Sequence, residues 1–99
     1  MESKDIFKAK IDAELKEWSI RIADLKAKAE LAEANVKVEY LKKIEALRVK
    51  KEETEAKLEE LKNAGDDAWD ILKAVVEKAA SELKDSVNDA IAKFKQAVT

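Results

Sequence analysis

Asn63-Ala64-Gly65-Asp66-Asp67 is the stretch with the composition of a turn: Gly65 is the sole glycine among 99 residues, and the chain contains no proline. On both sides of it apolar residues recur every three or four positions, the spacing of one helix face. Glycine favours the left-handed position just past a helix end, so Asn63 and Gly65 form the expected stop of a first helix. Asp66 or Asp67 is the expected cap of the next, with Asp70 adding negative charge to its first turn. The chain therefore reads as one domain: a long helix over about 4–63, a turn at 64–66 and a second helix over about 67–97. So short a link makes the two helices antiparallel neighbours.

Upstream, Ser3 is a plausible N-cap with Asp5 in the first turn. An apolar row then runs Phe7, Ile11, Leu15, Trp18, Ile22, Leu25, Ala29, Ala32, Val36, Tyr40, Ile44, Leu47, and more weakly through Lys51 and Thr54 to Leu58 and Leu61. Its steps average about 3.6 residues, the period of a straight α-helix rather than of a strict heptad. A second row, Ile20, Ala27, Leu31, Ala34, Val38 and Leu41, reads as lying beside the first and widening the apolar face to meet two neighbours. Acid-before-base pairs four apart (Asp12–Lys16, Glu17–Arg21, Asp24–Lys28, Glu33–Lys37, Glu39–Lys43, Glu53–Lys57) support the polar face by roughly 0.2–0.5 kcal/mol each. Past the turn, Leu72, Val76, Ala80, Leu83, Val87, Ile91, Phe94 and Val98 make an eleven-residue pattern, thickened at its start by Trp69, Ile71 and Val75.

Folding the two helices together about Gly65 sets Leu61 against Trp69, Leu58 against Leu72, Leu47 against Leu83, Tyr40 against Ile91 or Ala90, and Val36 against Phe94. Lys51 then falls opposite Ala79 and Ala80. The lengths do not match: at 1.5 Å per residue the first helix is about 90 Å and the second about 50 Å. Phe7, Ile11, Leu15, Trp18, Ile22 and Leu25 are left without a partner. Burying each is worth roughly 1.5–3 kcal/mol, so all six are the expected self-association residues. Two solutions exist. Two chains can pair with their long helices antiparallel about Glu33, giving three helices in every cross-section. Alternatively the long helix breaks near Asn35 and one chain closes as a monomeric three-helix bundle. Residues 31–41 hold no glycine or proline, which favours the homodimer. The expected fold is all-α: a coiled-coil-like helical hairpin completed by antiparallel dimerisation, with the monomeric bundle as the alternative.

Charged residues make up 42% of the chain and aromatics 5%, a composition of exposed helices. The first 64 residues hold 15 basic and 15 acidic side chains and the remainder 5 and 7, so neither part has the basic excess that phosphate neutralisation requires. Histidine and cysteine are absent, which removes the commonest general base, nucleophile and transition-metal ligands. The acids Glu52, Glu53, Glu55, Glu59 and Glu60 are interleaved with Lys50, Lys51, Lys57 and Lys62 and read as a self-neutralising face, not a cation site. Trp18, Tyr40 and Trp69 lie on apolar rows and read as core. No catalytic, cofactor-binding or metal residue is nominated. The charged N-terminus lacks a signal-peptide core and no run approaches the length of a membrane span, so a cytoplasmic protein is expected.

The segments Trp18-x3-Ile22-x2-Leu25, Ala27-Lys28-Ala29-Glu30, Ile44-x2-Leu47-Arg48, Lys57-Leu58-x-Glu60-Leu61-Lys62 and Ala68-Trp69-x2-Leu72-Lys73, with Tyr40, resemble small bacterial coiled coil domain-containing proteins. That resemblance implies a helical hairpin and assigns no activity or cofactor. The expected function is a structural or protein-interaction coiled-coil module that self-associates. The alternative is an amphipathic lipid-surface or stress-protective helical protein.

Overall fold

The computed structural model of the protein describes residues 3–98. They form three helices of near-equal length: α1 (Lys4–Glu30), α2 (Ala34–Lys62) and α3 (Asp66–Val98). They pack all against all as a rod of 51 × 19 × 16 Å. The fold is all-α, and it is the three-helix bundle rather than the two-helix hairpin. The expected long helix over 4–63 is interrupted at residues 31–33.

The break has a physical reason despite the absence of glycine and proline. Interrupting a helix leaves about four N–H groups without helical partners; exposed to water, each costs roughly 0.5–1.5 kcal/mol net. Folding α1 back buries Phe7, Ile11, Leu15, Trp18, Ile22 and Leu25 to between 2% and 7% exposure. At roughly 1.5–3 kcal/mol per side chain, that burial outweighs the lost bonds. A second copy could have buried the same residues only after offsetting the entropy of association. The six residues expected to mediate self-association are therefore core residues of a single chain.

Each joint is made differently. Ser3 Oγ accepts from the Ile6 amide at 3.1 Å and starts α1 as expected. At the α2–α3 joint, Asn63 Nδ2 donates to the Glu59 carbonyl at 3.0 Å, and the Gly65 carbonyl accepts from the Ala68 and Trp69 amides. Gly65 is thus the residue preceding α3. Asp66 and Asp67 lie inside its first turn rather than capping it, where the helix dipole still favours their charge. Among the described residues none has positive φ, Gly65 included, so the left-handed stop expected there is not used. At the α1–α2 joint, Leu31 stays near helical torsions (φ −91°, ψ −4°). Glu33 turns the chain with ψ 152° and makes no side-chain cap.

The register of the core follows from two ring contacts. Phe7 meets Trp69 edge-on at 6.0 Å near one end, and Tyr40 meets Phe94 at 5.2 Å near the other. Tyr40 was expected opposite Ile91 or Ala90, so the α2–α3 pairing lies about one helical turn from the expectation. Extended along α2 and α3, the second contact sets Leu58 level with Val76, Thr54 with Ala80, Lys51 with Leu83, Leu47 with Val87 and Ile44 with Ala90. Apart from Lys51 all of these are buried. On the α1 side, the hydrogen bond from Lys51 to Ser19 puts Trp18 beside the Lys51 level.

A Cβ added at Gly65 meets nothing within 4 Å, and its φ is one that any residue adopts. Gly65→Ala is therefore expected to fold normally: the reduced freedom of the unfolded chain and the poorer cap oppose one another, leaving a net change within about 1 kcal/mol. Urea denaturation checks this, and a loss of several kcal/mol would show that the turn depends on glycine.

Candidate functional site

The second apolar row is the feature whose placement departs most from expectation. It starts two residues after Trp18, and two residues advance about 200° around a helix, to the opposite side. Ile20, Leu31 and Val38 are accordingly 69%, 89% and 56% exposed. Ala27 and Ala34 are exposed as well, and only Leu41 is half-buried. The row does not widen the core; it runs along the outer sides of α1 and α2 and passes through their joint.

Ion pairs flank it. Of the expected pairs, Glu17–Arg21, Asp24–Lys28 and Glu39–Lys43 close at 2.9, 3.0 and 3.5 Å. Asp12 instead reaches across to Lys62 at 3.3 Å, tying α1 to α2. Arg48 bridges Glu45 and Glu52. Its hydrogen bond holds the Glu45 carboxyl below the usual range, and the Glu45 carboxylate in turn raises the Arg48 guanidinium. Lys4 contacts Asp66 and lowers that carboxyl in the same way. Both sites are exposed, so these pairs add little to stability.

Among the described residues, the bundle interior carries one polar interruption, where the α2 row passes through Lys51 and Thr54. The Lys51 ammonium leaves the core sideways, donating to Ser19 Oγ at 3.0 Å and pairing with Glu55 at 3.6 Å. The Lys51 side chain is 23% exposed, so most of its stem is out of water. Thr54 is buried and its hydroxyl donates to the Lys50 carbonyl within its own helix at 2.8 Å. On the same levels the Trp18 indole Nε1 is buried without a hydrogen-bond partner, and Arg21 stacks over the ring at 5.0 Å. A groove of about 510 Å³ opens beside this region between α1 and α2, floored by Leu15 and Leu58 and rimmed by Asp12, Ser19, Glu55 and Lys62. Its charged rim groups include partners already engaged with one another: Asp12 with Lys62, and Glu55 with Lys51.

Among the described residues, no three carboxylates gather closely enough to hold a metal ion, and no helix is long and apolar enough to cross a membrane. Trp18 and Tyr40 are core residues, and Trp69 packs partly buried against the core. The hairpin-turn residues Asn63, Gly65, Asp66 and Asp67 lie at the α2–α3 joint, at the opposite end of the rod from Leu31.

Removing the Thr54 hydroxyl while keeping its shape leaves no acceptor unpaired, because the Lys50 carbonyl also serves the helix ladder. Thr54→Val is expected to stabilise the protein by about 1 kcal/mol, raising the melting temperature by roughly 4–8 °C. Thermal unfolding followed by circular dichroism tests it; a lowered melting temperature would mean that the hydroxyl has a structural role beyond its own helix. Comparison of the chain with protein-family models, curated proteins and solved structures finds no match.

Proposed function

We propose that this protein is a non-catalytic structural module that acts by helix–helix association, with another copy of itself as the partner of its outward apolar row. The observation that carries the proposal is the exposure of Ile20, Leu31 and Val38 at helical spacing along α1 and α2, whereas the other exposed large apolar side chains of the described residues stand singly (Ile6, Val49, Val98) or as one pair (Ile71 and Val75). Single exposed apolar residues need no explanation, but a row of them on neighbouring elements does. Acids and bases alternate along its flanks at Asp24–Lys28 and Glu39–Lys43. The formal net charge of −2 sets little repulsion between copies. A two-fold axis beside the joint would set one row against the other, the arrangement by which most homodimers form.

The alternative of an amphipathic helix on a lipid surface requires α3, the most amphipathic of the three, to present its apolar face. That face (Val76, Ala80, Leu83, Val87, Ala90 and Phe94) is buried against α1 and α2, so lipid binding would have to open the bundle first.

Light scattering over a concentration series tests the proposal. The wild-type mass should rise reversibly above 11.1 kDa as concentration increases, whereas the double variant Leu31→Glu/Val38→Glu should stay at the monomer mass with unchanged helicity. A wild-type chain that stays monomeric throughout, or a variant that associates equally, would contradict it.

A further inference from the structure

We infer that α1 can be exchanged between two copies of the chain, the α1–α2 joint straightening into one continuous helix. This goes beyond association through the outward row and rests on a different feature, the construction of the joint.

The two joints are unlike. The α2–α3 joint has Asn63, Gly65 and paired aspartates, with a side chain bonded to the helix end. The α1–α2 joint has none of these. Its residues Leu31, Ala32 and Glu33 are ordinary helix formers, Leu31 keeps near-helical torsions, and Glu33 caps nothing. The first turn of α2 also contains no acidic residue, so its free N–H groups meet no capping side chain, and the Glu33 carboxylate at the boundary is the one charge there that suits the helix dipole. The inward row crosses the joint without a change of phase, through Ala29, Ala32, Val36 and Tyr40. Rotation at Glu33 from extended to helical torsions would restore the missing backbone bonds and place that row on one face of a rod of about 59 residues.

Straightening exposes the α1 face, and an identical chain opened in the same way offers the surface that α1 has left. Each α1 then docks on the partner's α2 and α3 with every core level intact, because the contacts are the same ones made between chains. Exchange of an identical element is a low-cost route to a dimer when the connecting segment tolerates both conformations. Ala32 and Val36, half-buried beside Ala97 and Val98 at the end of the rod, would come to lie near the two-fold axis.

The two modes of association differ in kinetics. Contact through the outward row dissociates on dilution, but an exchanged dimer returns to monomer only by undoing its core. The full chain is refolded from denaturant at millimolar and at micromolar concentration, then diluted and separated by size exclusion with light scattering. Ala34→Pro is the discriminating variant. Proline suits the first position of a helix and holds the residue before it extended, which matches Glu33 in the bent form. Inside a continuous helix it would remove a backbone bond and clash with the preceding turn.

The expected result is a dimer of twice 11.1 kDa after millimolar refolding of the wild type that persists on dilution. In Ala34→Pro it should fall by at least an order of magnitude, while in Leu31→Glu/Val38→Glu it should remain. If Ala34→Pro loses helicity, Glu33→Gly provides the same comparison. A wild type that yields only monomer after dilution, or equal amounts of persistent dimer in the joint variants, would overturn the exchange. Loss of association only in Leu31→Glu/Val38→Glu would overturn it too, while leaving association through the outward row standing.

Discussion

The structure depends on removing one helix face from water. The inward side of α1 offers an aromatic, aliphatic or alanine side chain at every turn from Phe7 to Ala29, and α2 and α3 together form the groove that receives it. No single contact dominates; the burial is spread along all three helices. Because α1 is tethered to that groove, its local concentration there exceeds what a separate chain would supply. The bend at residues 31–33 follows from that constraint: a few solvated backbone groups are the smaller cost.

Within this core, the Lys51 level acts as a register mark, because its hydrogen bond to Ser19 crosses from α2 to α1. A slip of α2 by one turn would take the Lys51 ammonium away from Ser19 and carry its charge toward an apolar level, while the Thr54 hydroxyl, bonded within its own helix, would move with it unchanged. Unpaired polar groups in such a position cost more than the methyl contacts exchanged. The buried indole N–H of Trp18 is a cost already accepted there, outweighed by the large apolar area of the ring. These polar positions thus limit the ways in which three similar amphipathic helices can pack.

Much of this was legible in the sequence. The inward row was readable residue by residue from Phe7 to Leu61, as were the second joint, the Ser3 cap and the core placement of Trp18 and Tyr40. The first joint was not, because Leu31, Ala32 and Glu33 have no local preference for turning and the bend is imposed by packing at a distance. Register is one turn out because the expectation centres the pairing on Gly65, whereas Gly65 directly precedes α3 and the Tyr40–Phe94 contact centres it on Asp67. The outward row is legible as a row, and its two-residue offset from Trp18 places it opposite the core rather than beside the inward row. A joint with no turn residues that still turns is also what makes the exchange of α1 chemically reasonable.

The central claim is that a single chain bends at residues 31–33 and shelters its own α1 face. It is tested most directly by a distance between spin labels at exposed Lys10 on α1 and exposed Glu60 on α2, with labelled chain diluted into excess unlabelled chain at micromolar concentration. The bent chain predicts neighbouring helices, with labels on the order of 10–25 Å apart given an interhelical spacing near 10 Å. A dominant distance of about 75 Å, the span of fifty residues in an unbroken helix, would contradict it.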